Sequence, residues 1–186
     1  MGIATGSGSS ERETAHGLVG VTSGRALEGT NAGFEAVYRA QYARLVRTLE
    51  VACGSRETAA DLVQQAFMQL WAEWPRVSRY ESPAAWVTRV AVSRLRDHYR
   101  SVRRLATALL RLEREPESAP TPEPQSDALR AALARLPLRR RIAVVLYYVN
   151  DRSTAEVAAI MGVSEGTVKR HLYRAREVLR SALEES

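Results

Sequence analysis

Residues 153–176, STAEVAAIMGVSEGTVKRHLYRAR, constrain the chain more tightly than any other segment, because they specify two short helices joined across a glycine turn. Ser153 and Glu156 have the N-cap and N3 spacing of a capping box, so a helix is expected to start there. Val157, Ile160 and Met161 give it one apolar side, and Ala155, Ala158 and Ala159 are expected to let a second helix cross closely. Gly162 supplies the left-handed residue that a helix end favours, and Ser164 is placed to cap the next helix. In that helix Val168, Leu172, Ala175 and Leu179 form a buried stripe at helical spacing. Lys169 and Tyr173, and Arg170 and Arg174, are pairs four residues apart, and they project as a cationic patch carrying one aromatic. In a helix-turn-helix of this kind the second helix enters the major groove, where Arg and Lys donate to guanine O6 and N7. An ordinary basic helix in an all-α core is the competing reading, and the agreement of cap, turn, stripe and charged face weighs against it.

Charge agrees with a polyanionic partner. The chain of 186 residues carries a net charge of +6 with a pI near 10, and its length allows one or two domains with cores of their own. The single cysteine, Cys53, excludes an intramolecular disulfide and reads as a small core residue in a reducing compartment. No apolar run approaches a membrane span, and the N-terminus lacks a basic region followed by an apolar stretch, so a cytoplasmic location and no membrane insertion are expected. His16, His98 and His171 are scattered and form no metal-ligand spacing with Cys53, and neither a Gly-rich phosphate loop nor a nucleophile turn is present. No metal, cofactor or catalytic residue is expected, and the chain is not read as an enzyme.

Two breaks in composition divide the sequence. Residues 1–32, rich in Gly, Ser, Thr and Ala, read as a disordered extension. Residues 105–126 contain prolines at 116, 120, 122 and 124 and read as a Pro-rich linker. The fold class expected is therefore all-α, with two small helical domains, 33–104 and 127–183, joined by a flexible linker. In the first domain a helix begins near Gly33 and ends at Gly54; a second, about Arg56 to Glu73, is stopped by Pro75. A polar loop then leads to Ser82-Pro83, the N-cap and N1 of a third helix in which Arg89, Arg94, Arg96, Arg100, Arg103 and Arg104 accumulate. Such an arginine run suits either a solvated face or a nucleic-acid backbone. Around the loop, Tyr80 and Trp86 lie beside Arg76, Arg79 and Arg89, a combination suited to unstacked bases. Trp86, at helical spacing from Val90, equally fits a core position.

The order of these features resembles a sigma factor of the extracytoplasmic function (ECF) group of the sigma-70 family, from about residue 33 to the C-terminus. ADLVQQAFMQLWAEW, residues 60–74, is similar to the segment that docks on the clamp helices of the RNA polymerase β′ subunit. SPAAWVTRVAVSRLRDHYRSVRR, residues 82–104, is similar to the segment that opens and reads the −10 element. Residues 133–183 resemble the domain that reads the −35 element. The resemblance implies a helical bundle (region 2) and a helix-turn-helix (region 4) that bind core RNA polymerase and promoter DNA and direct initiation. It implies −35 contacts by Lys169, Arg170, Tyr173 and Arg174, with Thr167 and His171 near phosphates, and −10 contacts by Arg79, Tyr80, Glu81, Ser82, Trp86 and Arg89. Asp61, Gln64, Gln65, Phe67 and Trp71 would contact β′, region 4 would meet the β flap, and an anti-sigma factor is an expected partner. The acidic linker would run toward the RNA exit channel. Gln65 departs from the family, which often has Glu there, and the loop VSRYES, residues 77–82, matches no subgroup. A stand-alone helix-turn-helix regulator would not need the ADLVQQAF helix or the aromatic loop. A mimic that sequesters an anti-sigma factor would not need the basic recognition face.

Overall fold

The computed structural model describes residues 19–110 and 128–184, with side chains described for 32–108 and 130–182. Every regular element among these residues is helical, in the order α1 (Val19–Cys53), α2 (Arg56–Ala72), α3 (Trp74–Val77), α4 (Pro83–Leu110), α5 (Ala128–Ala134), α6 (Leu138–Val144), α7 (Thr154–Met161) and α8 (Glu165–Glu184). Helix α6 continues directly into a π-helical turn, Val145–Val149.

Several boundaries differ from the sequence expectation. Helix α1 starts at Val19, not near Gly33, and so takes in residues 19–32 of the expected extension. A packed helix elongates more easily than a new one nucleates, and the weakly helical stretch before Gly33 is carried along by that cooperativity. The remainder of the expected extension, residues 1–18, lies outside the described residues. Likewise α4 runs on to Leu110 through the strong helix formers of LATALL, so the linker begins later than residue 105. Its remaining residues, 111–126, lie outside the described residues. Pro75 does end α2, but it also opens α3, where a proline at the first or second position has no N–H to forfeit.

Helices α1, α2 and α4 pack into a bundle around Leu45, Leu49, Leu62, Val63, Leu70, Val87, Val92 and Leu95, all nearly inaccessible to solvent. Helices α5 to α8 bury Leu136, Ile142, Leu146, Met161, Val168 and Leu172. The two groups of helices are in contact: their buried residues form one connected apolar cluster, in which α7 lies against α4, and α6 and the π turn lie against α1.

The joint between them is built largely from helix ends. The last carbonyls of a helix have no partner within it, and buried helix ends need one from outside. Arg141 donates across the joint to Ala52 O near the end of α1 at 3.0 Å, and within its own group to Ala134 O at the end of α5 and to Leu136 O just after it. Within the first bundle Tyr99 Oη donates to Cys53 O at 2.9 Å, and across the joint Arg96 donates to Met161 O at the end of α7 at 2.8 Å. The π turn adds a side-chain contact. Asn150, itself buried, donates from Nδ2 to Thr48 Oγ1 at 2.8 Å, while its carbonyl accepts from Arg44 at 2.8 Å. The π turn closes with Asn150 N donating to Val145 O, and the next residue, Asp151, takes a left-handed φ of 52°. Short π segments and non-glycine left-handed residues both carry a conformational cost, here offset by bringing Asn150 into α1.

Candidate promoter and polymerase interfaces

The segment α7–turn–α8 forms as its sequence specifies. Ser153 Oγ accepts from Glu156 N, and the Glu156 carboxylate accepts from Ser153 N at 2.9 Å and from Arg152 at 2.6 Å. The backbone and hydroxyl donors of Ser153, with the Arg152 guanidinium, hold the Glu156 carboxyl down at about 2. Gly162 is left-handed at φ 66°, and Ser164 Oγ accepts from Thr167 N at 3.3 Å. Val157, Ile160 and Met161 are buried, and Val168, Leu172, Ala175 and the half-buried Leu179 form the predicted stripe of α8. Of the three alanines expected beneath the crossing helix only Ala158 is buried; Ala155 and Ala159 face outward. Three and four residues are the spacings that place side chains on one face, and Ala158 alone shares the face of Val157 and Met161.

On the outer side of α8, Lys169, Arg170, Tyr173 and Arg174 are all exposed, with Tyr173 at 60 %. Thr167 and His171 sit half-buried at the margin, Thr167 Oγ1 lying 3.0 Å from Ser164 Oγ. The His171 imidazole is pushed below its ordinary range, first by burial and then by the charges of Arg140, Arg139, Arg174 and Arg170. Arg139 and Arg140, on α6, therefore extend the cationic face of α8. Sequence reasoning passed over them, although the run LRRR directly after Pro137 was the available signal.

The loop between α3 and α4 gathers a second set. Arg79, Tyr80, Glu81, Ser82 and Arg89 are exposed, and the Arg76 guanidinium lies over the Tyr80 ring, 5.7 Å from its centroid. Ser82 Oγ accepts from Ala85 N at 3.1 Å, so the predicted N-cap is present and fixes the loop's exit into α4. Trp86 is half-buried against the core, between the two roles its spacing allowed.

The arginine run on α4 divides sharply. Arg94 donates to Gln65 Oε1 at 3.1 Å and to Gln69 Oε1 at 2.9 Å, tying α4 to α2, and Arg96 is committed to Met161 O. Arg89, Arg103 and Arg104 remain exposed, as does Arg100, which pairs with Asp97 at 3.0 Å.

On α2, Asp61, Gln64, Gln65 and Trp71 share the outward face, and Trp71 is 51 % exposed. Phe67 does not belong to that surface. It is 3 % exposed, covered by Tyr38 and Tyr42 of α1 at ring distances of 5.0 and 5.8 Å. A buried ring has no face to offer a partner; Phe67 instead packs behind the surface that carries Trp71. Met68, 64 % exposed and three residues before Trp71, completes the apolar part of the face, and its helical spacing from Gln64 and Gln65 was a readable signal.

With these surfaces in place, comparison with known proteins is direct. Residues 36–105 match the family model described as Sigma-70 region 2, and residues 126–179 match Sigma-70, region 4. The chain is 32% identical over 170 residues to the ECF RNA polymerase sigma factor SigL of Mycobacterium tuberculosis, covering 86% of this chain and 96% of SigL. It is 30% identical over 152 residues to SigM of the same organism, covering 81% of this chain and 76% of SigM. The match to the probable RNA polymerase sigma factor RfaY of Xanthomonas campestris is 30% over 141 residues, and there the chain spans only 35% of the relative. Among solved structures, the sigma factor RpoE of Bartonella quintana, in complex with the anti-sigma factor NepR, superposes with a TM-score of 0.63 at 25% identity over 81% of this chain and 96% of that one. CnrH, in complex with the cytosolic domain of CnrY, shares the fold with a TM-score of 0.61 at 22% identity over 89% of this chain and 97% of that one. The region 2 match covers the bundle with the loop between α3 and α4, the region 4 match covers the helix-turn-helix, and both follow in the family's order: the chain belongs to the ECF group of the sigma-70 family and is an RNA polymerase sigma factor for promoter-specific transcription initiation.

Proposed function

We propose that promoter reading and polymerase docking are divided among the surfaces as follows. Lys169, Arg170, Tyr173 and Arg174 face the edges and backbone of the −35 duplex, with Thr167, His171, Arg139 and Arg140 at its flanking phosphates. Arg79, Tyr80, Glu81 and Ser82 hold an extruded base of the −10 element, with Trp86 and Arg89 behind it; extrusion costs a few kcal/mol of unstacking, on the order of 3 kcal/mol, which base-holding contacts offset. Asp61, Gln64, Gln65, Met68 and Trp71 dock on the β′ clamp helices of core polymerase, and region 4 meets the β flap. The observation that supports this reading best is the outward basic face of α8 on a correctly capped helix-turn-helix.

The chain carries out no chemistry of its own; phosphodiester synthesis belongs to the polymerase. No helix among the described residues is long and apolar enough to cross a membrane, and we place the protein in the cytoplasm with the polymerase. An anti-sigma factor is the expected regulatory partner, as RpoE and CnrH are both seen with partners of that kind or a cytosolic partner domain.

Run-off transcription tests the proposal. Purified chain added to core polymerase directs a transcript from a cognate promoter, while the chain alone binds promoter duplex weakly. Sequence-specific repression with no polymerase interaction would assign the chain to the stand-alone regulators instead.

A further inference from the structure

Between the two groups of helices, a cleft of ≈ 740 Å³ opens along α1 and is closed on its far side by α5 and the π turn. Its charge is one-sided. Arg44 and Arg47 of α1, Arg56 of α2 and Arg130 of α5 line it, against a single carboxylate, Glu50. Glu50 is shared thinly, 3.3 Å from Arg56 and 4.0 Å from Arg130. Arg47 has no hydrogen bond or ion pair among the described residues. Arg44 donates one amino group to Asn150 O at the back of the cleft, and Arg56 donates to Glu50. Four guanidinium groups lining one cleft with a single carboxylate among the described residues leave positive charge uncompensated, and packing the two groups of helices together concentrates it.

We propose that this cleft is a binding site for a small phosphate-bearing anion, a polyphosphate chain free or carried on a nucleoside, which bridges Arg44, Arg47 and Arg56 on one side to Arg130 on the other. The planar guanidinium presents paired N–H groups that match phosphate oxygens, and phosphates in sequence satisfy several such groups where a single carboxylate cannot. The size of the cleft falls within the range of small-molecule sites, and Val51 and Val149 offer apolar wall for a sugar or base. Because the site exists only when the two groups of helices are packed together, its occupant stabilises that packed arrangement by binding it alone. The inference is independent of which residues read the promoter.

Calorimetric titration of the full chain with inorganic tripolyphosphate, and in parallel with ATP, tests it. One site per chain is expected, together with slowed hydrogen exchange in residues 44–51 and 145–152. The double substitution Arg47→Ala and Arg130→Ala weakens tripolyphosphate binding at least about tenfold, and circular dichroism verifies that the variant is folded. The control Arg39→Ala, on the same helix but paired with Glu35 at 2.7 Å away from the cleft, leaves binding unchanged. Tighter binding of ATP supports the site with the nucleoside on the valines; equal binding supports it with the phosphate chain alone. The proposal is overturned by no binding at about 1 mM tripolyphosphate, by an equal loss in the Arg39 variant, or by protection of the cleft with a single-stranded oligonucleotide and not with tripolyphosphate.

Discussion

Helices α4 and α8 are both amphipathic and both crowded with arginine, yet they use it differently. On α8 the basic face is outward, with Lys169, Arg170, Tyr173 and Arg174 all exposed. On α4 two arginines in the middle of the run are spent internally, Arg94 on two glutamine amides of α2 and Arg96 on the last carbonyl of α7. What differs is the neighbour. Helix α4 lies against the side of α2, whose glutamine amides accept from Arg94, and beneath the end of α7, whose unpartnered carbonyl accepts from Arg96, whereas the basic face of α8 is exposed among the described residues. An arginine count along a helix therefore overstates its nucleic-acid face wherever a second helix terminates against it.

The comparison can be broken most forcefully at Arg141, which, like Arg96, serves helix ends. Arg141→Ala removes donors to Ala52 O, Ala134 O and Leu136 O at once and is expected to cost about 3 kcal/mol of stability. Thermal unfolding reads this directly, and a loss within the usual noise of surface substitutions would mean that the joint does not depend on its helix-end contacts. Arg174→Ala is the counterpart on the reading face: unfolding should be unaltered, while affinity for a −35 duplex falls by about 1–3 kcal/mol with relaxed sequence preference. Equal binding to cognate and scrambled duplexes by wild type and variant alike would remove Arg174 from the reading set. At the free end of α4, Arg103→Ala should lower the slope of binding against salt by about one unit without changing sequence preference.

The smallest effect is a pH dependence. His171 is held below its ordinary range, so in the free protein it is neutral at pH 7, and the sign follows from that. As pH falls through the unfolded value the unfolded chain takes up its proton first, and the folded state loses stability relative to it. A DNA phosphate beside the ring reverses the preference for the neutral form, so −35 duplex binding should tighten modestly from about pH 7.5 to about pH 6. His171→Gln should flatten that profile. A profile unchanged by the substitution would mean that the imidazole meets no phosphate.

The helix-turn-helix was the most legible part of the molecule because each of its signals is local: a capping box spanning Ser153 to Glu156, a left-handed glycine, a stripe on one helix. Phe67 shows where such reading stops. Its spacing with Trp71 and Trp74 defines a shared aromatic side but not which member is covered, and that is decided by Tyr38 and Tyr42 arriving from α1. The start of α1 was hidden for a different reason, since helix elongation depends on the packed segment downstream and not on the composition of the residues being added. The joint between the domains left no trace in sequence. A π turn has no composition of its own, and an arginine that will bond a distant carbonyl looks like any other.

That last property has a bearing on how the chain tolerates change. Arg96, Tyr99 and Arg141 all address main-chain oxygen, so the receiving positions Met161, Cys53 and Ala52 contribute to these bonds without contributing a side-chain group. Substitution at the acceptor leaves each bond's chemistry intact as long as the helix still ends there. For these helix-end bonds the sequence information is thus carried by the donors, and drift at the acceptor positions is free to follow other demands.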